Sequence, residues 1–435
     1  MYTLFLLSVV FCTFASFSLS EKQPDIDITL WRLFEKYSQN GDKIRMRMDL
    51  FNNGAKYATL LQWKTPLDLH DETPLSEFLN VQFSHCSTEK PRGQMWCTID
   101  ASKANETVRY LGPRFKRANP LSSSYKKIRP GARVTENIDL SGMYDFSRVG
   151  FYTVEVKTQV QDLLRHWNND YKIKNRVSAN FTGLEPLVSN LMRFEIYEDD
   201  NERVDPTKPY EKPEKRKKVK FEKKDHIQCD GRSYPQSWEL QGLTMHPKCT
   251  KEQKDTIQTT MKHIVHSLEK ISTLSRGDMT NELKEWYDSA DEQTFTLLQK
   301  DLKQLSNLLT SSNVTSQLDL QCGVEKKEDQ GLCGTETYSF ATARFNRINL
   351  CDKFFSAPPS KEEGGKPGRD TPEGLMMHEL AHLVLDKKDW AISAKQCKTL
   401  NKEMRMENAN NFQYFFEDLY RKEATKGQSK EKDEL

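Results

Sequence analysis

Thr371-Pro372-Glu373-Gly374-Leu375-Met376-Met377-His378-Glu379-Leu380-Ala381-His382 is the stretch from which the rest of the chain can be read. Thr371 is a favoured helix N-cap residue, and Pro372 suits the first helical position, where no backbone donor is needed. A helix is therefore expected to start here and run through an apolar segment. Positions i and i+4 share one helix face, so His378 and His382 present two imidazoles to one point. Glu379 lies about a quarter turn round, beside that point. Two imidazoles one turn apart with a neighbouring carboxylate can hold a zinc ion and set a general base next to its open position.

A catalytic zinc usually takes three protein ligands and leaves the fourth position free. Asp386 and Asp389, four and seven residues beyond His382, are the short-range candidates for the third. A continued helix would place Asp386 on the same face, with its side chain pointing back along the axis. Asp389 could return from a turn once the helix ends near Lys387-Lys388. No later His stands at the spacing that some other zinc peptidases use.

The flanking sequence speaks of a secretory route. Leu4 to Phe17 is an apolar run followed by Ser18 and Ser20, so residues 1–20 read as a signal peptide. The run is short for a membrane span, and no later apolar stretch is long enough for one. Lys432-Asp433-Glu434-Leu435 ends the chain as KDEL, an address read by an endoplasmic-reticulum retrieval receptor. The expected location is the lumen of that compartment, or outside the cell if retrieval is escaped. Asn105, Asn180 and Asn313 each open an N-glycosylation sequon. Cys12 leaves with the signal peptide and eight cysteines remain, an even number that suits disulfides in an oxidising compartment. Cys86 and Cys97 are eleven residues apart, and a local bridge is their simplest pairing. Lys+Arg 65 against Asp+Glu 63 gives a net charge of +2, which points to neither nucleic acid nor a membrane surface as partner.

At 435 residues the chain calls for more than one core. Residues 21–198 read as β-rich. Short apolar runs such as Ala58–Leu61 and Phe151–Val156 alternate with turn signals at Asn53-Gly54, Gly112-Pro113, Pro130-Gly131 and Ser141-Gly142, a sandwich-like pattern. Residues 199–225 form a polar, proline-bearing linker, and its basic cluster at Arg216, Lys217 and Lys218 is a candidate processing site. Residues 226–423 read as mostly helix. Thr250 and Gln253 make a capping box ahead of Ile257, Met261, Ile264, Leu268 and Ile271. A second helical stretch is expected over about 280–309. Cys322 to Phe355 holds an expected strand pair, and further helices run from about Ser393 to Lys422. Residues 424–435 read as a disordered polar tail.

Beyond the motif, the chain resembles the deuterolysin family of aspzincin metallopeptidases, relatives of the peptidyl-Lys metalloendopeptidases. These bind zinc through HExxH and a downstream Asp in a GTxDxxYG motif. The matching stretch here is Asp386-Lys387-Lys388-Asp389-Trp390-Ala391-Ile392-Ser393, in which only Asp389 agrees. Leu400, Asn408-Ala409-Asn410-Asn411-Phe412 and the aromatics Tyr414, Phe415 and Tyr420 support that register. The resemblance therefore implies His378, His382 and Asp389 as zinc ligands, with Asp386 the competitor. It implies the bridges Cys249–Cys322, Cys333–Cys351 and Cys229–Cys397. Ile392 stands where the family has a Tyr that supports the oxyanion, so that support must come from another group or from zinc. Trp63-Lys64-Thr65-Pro66-Leu67, Tyr110-Leu111-Gly112-Pro113 and Tyr144-Asp145-Phe146 resemble the family's pro-region.

These readings combine into a multidomain architecture: an all-β, sandwich-like pro-region, then a mostly α (α+β) zincin-like catalytic domain. The expected activity is that of a zinc endopeptidase made as a secretory zymogen. One catalytic Zn2+ would activate water for attack on a peptide or protein substrate, with Glu379 as general base. The alternative is a catalytically impaired, protease-like binding or folding-assistance protein of the endoplasmic reticulum, suggested by Ile392 and the KDEL terminus.

Overall fold

Strong alternation of apolar and polar residues in the first half produces strands, and the computed structural model arranges them in several sheets. It describes residues 26–433 except 40–41, 87–98, 101, 171, 174–175, 178–180, 182–184, 198–242, 247, 311–317, 325–331 and 359–369, and the backbone alone for 424–433. The expected signal peptide, the linker with Arg216, Lys217 and Lys218, the sequons at Asn180 and Asn313, and Cys97 and Cys229 lie outside the described residues, as do the last two residues of KDEL.

One antiparallel sheet joins β1 (Ile26–Arg32), β3 (Arg45–Asn52) and β11 (Arg133–Asp139). A larger one runs β2 (Lys36–Ser38), β15 (Met192–Tyr197), β12 (Gly150–Val160), β7 (Leu79–Ser84) and β8 (Glu106–Thr107), with β14 (Glu185–Val188) also on β12. Inward residues of both, such as Met48 and Leu50 against Val154 and Phe194, share one apolar core, as two stacked sheets must. A third sheet holds β10 (Tyr125–Ile128), β4 (Tyr57–Leu61) and β13 (Leu163–His166). β5 (Leu69–His70) and β6 (Thr73–Pro74) form a small hairpin.

The second half packs helices on a five-stranded sheet. Its order is β16 (Leu243–Met245), β17 (Leu318–Cys322), β19 (Arg347–Leu350), β18 (Thr337–Thr342) and β9 (Pro113–Arg117). The first three strands are mutually parallel, and β18 runs antiparallel to β19. The fifth strand, β9, comes from the N-terminal half and pairs antiparallel with β18, Lys116 opposite Ser339 and Arg114 opposite Ala341. The two halves thus share a sheet, which no boundary drawn between residues 198 and 226 anticipates.

The helices are α1 (Lys251–Ile271), α2 (Arg276–Tyr287), α3 (Glu292–Thr310), α4 (Asp352–Phe355), α5 (Pro372–Leu385), α6 (Ala394–Cys397), α7 (Lys402–Glu407) and α8 (Ala409–Asp433). The Thr250–Gln253 capping box opens α1 as expected. The stretch expected over 280–309 is two helices. Asp288 takes a left-handed conformation (φ 55°) and ends α2, and the Asp291 carboxylate accepts the Thr294 amide at the start of α3. The tail differs as well: α8 continues to Asp433, extended by strong helix formers such as Lys and Glu.

Helix α5 is apolar all round and buried almost throughout, as a central helix must be. Leu375, Met376, Met377, Leu380 and Ala381 pack into the core with Phe412, Phe415 and Phe416 of α8. At Gly374 the two helices approach so closely that a Cβ would collide with the Glu417 side chain. Cys249–Cys322 ties the start of α1 to β17, and Cys333–Cys351 ties the approach to β18 to the start of α4. Cys86 is disulfide-bonded. Cys397, for which the resemblance implied a bridge to Cys229, is a fully buried thiol and is free among the described residues. Its Sγ accepts a hydrogen bond from Asn408 Nδ2 at 3.3 Å, and burial pushes the thiol up to about 12.

Candidate active site

Thr371 caps α5, its Oγ1 accepting the Gly374 amide at 3.1 Å, and fixes the helix phase on which the two histidines depend. His378 and His382 bring their Nε2 atoms to 3.0 Å from one another. The helix stops at Leu385 because Asp386 adopts a left-handed conformation (φ 52°). The chain then turns back, and Asp389 places Oδ1 at 3.4 Å from His378 Nε2 and Oδ2 at 3.3 Å from His382 Nε2. Among the described residues these three form the one cluster of metal-ligand type. Asp386 is elsewhere: its side chain is half exposed (49%), and Oδ1 accepts from Arg114 Nη1 at 2.9 Å.

The separations test the fit of an ion. Donor atoms in a tetrahedral zinc site with bonds of about 2.0–2.1 Å stand about 3.3 Å apart, and the three observed spacings lie close to that. His382 Nδ1 contacts the Lys387 carbonyl at 2.6 Å, and a carbonyl can only accept. Nδ1 therefore carries the hydrogen, and Nε2 keeps its lone pair for a metal. Burial holds the His378 imidazole well below its usual range, neutral as a ligand must be. Burial alone would raise Asp389, but Lys64, and then His382, outweigh it and keep the carboxyl well below the usual carboxylate range.

Glu379 is fully buried under β18. Its Oε1 accepts from Ser339 Oγ at 2.6 Å, and among the described residues Oε2 has no hydrogen-bond partner. Burial pushes this carboxyl well above its ordinary value, the setting of a proton acceptor.

Several groups that complete the site carry no motif. Asn408 Oδ1 accepts the Trp390 and Ala391 amides at 2.9 and 3.3 Å, and Asn410 Nδ2 donates to the Ala391 carbonyl at 2.7 Å and to Asp389 Oδ1 at 3.2 Å. The loop that returns Asp389 is thereby held by α8, and the Asn408–Asn411 stretch was the visible trace of it. Lys64 enters from the N-terminal half: its Nζ donates to the Asp389 carbonyl at 2.9 Å and lies 3.8 Å from Oδ1. Burial lowers that amine to about 8. Ile392 packs against the cluster of Leu61, Trp63 and Tyr125, so an apolar contact with the N-terminal half stands at this position. A cavity of about 310 Å³ between the halves is lined by Lys64, Glu77, Arg114, Lys388, Asp389 and Trp390.

Strand β9 completes the cover. Arg114 and Lys116 alternate onto the α5 side of the sheet. Arg114 donates to Glu77 and Asp386 at 2.7 and 2.9 Å. Lys116 pairs with Asp370 at 3.0 Å, donates to Asn410 Oδ1, and lies over the Tyr414 ring at 5.3 Å from its centroid. Phe115 stacks on Phe340 with centroids 4.7 Å apart. Asn105 is exposed on the N-terminal half.

Comparison with known proteins agrees with this geometry. Residues 272–417 match the aspzincin family, described as lysine-specific metallo-endopeptidase. An extracellular protease of Aeromonas hydrophila is 19% identical over 385 residues, covering 86% of this chain and 88% of its own length. The likeness therefore takes in most of both halves. The resemblance read from the sequence is borne out over the matched region.

Proposed function

We propose that this chain is a zinc-dependent endopeptidase of the secretory pathway, made as a zymogen whose N-terminal half covers the site. The observation that carries the reading is the buried cluster of His378, His382 and Asp389 with Glu379 beside it. His378 and His382 would hold zinc through Nε2, and Asp389 through its carboxylate. When bound, zinc would polarise the scissile carbonyl and make water acidic enough to give up a proton and act as the nucleophile.

Glu379, held by Ser339 and raised in pKa by burial, takes the proton of the attacking water and returns it to the leaving amine. Asn408 and Asn410 keep Asp389 in position. Lys64 and β9 exclude substrate and water until they are moved. The secreted relative, the expected signal peptide and the disulfides support a secretory route; the terminal KDEL supports retrieval to the endoplasmic reticulum. Cleavage near Arg216, Lys217 and Lys218 would separate the halves.

The test is zinc content and hydrolysis of denatured protein by the processed chain and its Glu379→Ala variant. Chelator-sensitive hydrolysis that vanishes in the variant, with zinc still bound, is expected. Undiminished hydrolysis in the variant refutes the mechanism; zinc at full occupancy without turnover in either form favours a binding protein.

A further inference from the structure

The bend that follows α5 is fixed by an ammonium. Lys387 stands in that bend, and it is buried, at 6% exposure. A buried ammonium has to be paired and hydrogen-bonded. Its Nζ lies 2.7 Å from Asp301 Oδ2 on α3, donates to the Met406 carbonyl of α7 at 2.8 Å, and sits 5.3 Å from the centroid of the Phe412 ring on α8. One side chain thus ties the end of the catalytic helix to three other helices.

The backbone of the same residue meets the site. The Lys387 amide donates to the Ala381 carbonyl at 3.1 Å, and the Lys387 carbonyl accepts the His382 Nδ1 hydrogen at 2.6 Å. In a trans peptide the carbonyl and the following amide point opposite ways. The far side of the Lys387–Lys388 peptide is held as well, because the Lys388 amide donates to the Glu407 carbonyl at 2.7 Å. The last turn of a helix leaves its carbonyls without helical partners. Two successive carbonyls of α7, those of Met406 and Glu407, therefore hold the ammonium and the peptide plane together. Rotation of that plane would take the acceptor away from Nδ1 and free the hydrogen to move to Nε2, the atom that faces His378 and Asp389.

We propose that Lys387 and Asp301 are positioning residues for His382. Their ion pair locks the Lys387–Lys388 peptide, so that its carbonyl keeps the hydrogen on Nδ1 and leaves the Nε2 lone pair for a metal. An outer partner that fixes tautomer and ring orientation commonly changes metal affinity by about 10–100-fold. The proposal rests on the zinc reading for what Nε2 meets, but the tautomer can be read in the metal-free chain. It extends the site to α3, where no motif marks Asp301.

The experiment uses the full chain with isotope-labelled histidine, and long-range nitrogen–proton correlations report which ring nitrogen of His382 carries the hydrogen. Asp301→Asn keeps the shape of the partner and removes its charge. Lys387→Met keeps the stem and removes the ammonium. Asp319→Asn, which unpairs Arg347 between β17 and β19, is the control for the loss of an ion pair elsewhere. Zinc affinity is measured by competition with a chromophoric chelator, and urea unfolding sets the variants on one stability scale. In the parent the hydrogen is expected on Nδ1. In Asp301→Asn and Lys387→Met a mixture of tautomers and about tenfold weaker zinc binding are expected, with neither change in Asp319→Asn. Retention of both the Nδ1 hydrogen and the zinc affinity, even with stability lost, makes the pair merely structural and overturns the proposal. So does a parent with its hydrogen on Nε2, or equal losses in the control. If Lys387→Met does not fold, Asp301→Asn decides alone. Hydrolysis of denatured protein by the processed, zinc-loaded chain is measured separately. Its absence alongside the expected tautomer shift defeats the endopeptidase reading and leaves the positioning assignment standing.

Discussion

Helix α5 and strand β9 meet at the same site by opposite routes. In α5 the chemistry follows from local spacing: a cap, a helix and an i, i+4 pair of histidines. In β9, five residues with no motif reach the site only because they pair with a strand more than 200 residues later in the chain. One segment carries residues of metal-ligand type and the other packs over them. The comparison teaches that the residues of a site can be written locally while what packs over them is written in long-range pairing.

The largest expected effect tests the local side. Glu379→Gln should lower hydrolysis by the processed enzyme roughly 10²–10⁴-fold while leaving zinc stoichiometry unchanged, measured by peptide turnover and metal analysis. Loss of zinc in that variant would mean that the carboxylate is part of the metal shell. Next comes the long-range side. Phe115→Ala removes the ring packed on Phe340 and should cost about 3–5 kcal/mol in urea unfolding with zinc affinity unchanged. A parallel fall in zinc affinity would show that cover and centre cannot be separated.

The loop between them comes third. Asp389→Asn should weaken zinc by about 100-fold or more in chelator competition, beyond the 10–100-fold typical of an outer-shell partner. Asp386→Asn, which touches Arg114 rather than the histidines, should leave zinc affinity where it was. Equal losses would merge the two carboxylates into one role.

The smallest effect concerns the packing of α8 on α5. Burial, and then Asp370, hold the Glu417 carboxyl at about 8 against an ordinary 4.5. The folded state therefore prefers the protonated acid. The stability this brings is full below about pH 4.5 and is lost as pH rises through 8. Glu417→Gln keeps an acceptor for Thr371 and should match wild type near pH 4.5 but become the more stable of the two as pH rises toward 9. Parallel stability curves across that range would show that Glu417 stays ionised.

The three N-terminal segments singled out by resemblance turn out to share a place. Lys64 touches Asp389, Pro113 begins β9, and Tyr144 bridges Tyr110 just ahead of it. Their likeness to a pro-region could be seen in the sequence, but their convergence on one site could not. Similarly, the spacing left Asp386 and Asp389 both open. The choice fell to a left-handed residue at the helix end, which sends Asp386 toward Arg114 and brings Asp389 back to the histidines.

The sequence by itself determined the helix that carries His378, Glu379 and His382, because helical periodicity and capping act within a few residues. It also indicated the β-rich first half and helical second half, since side-chain alternation is equally local. Tertiary structure alone decided which Asp joins the histidines, that Cys397 stays a thiol, and that β9 with Lys116 lies across the catalytic helix. Those outcomes depend on burial and on partners far apart in the chain, and periodicity within a short window carries no record of either.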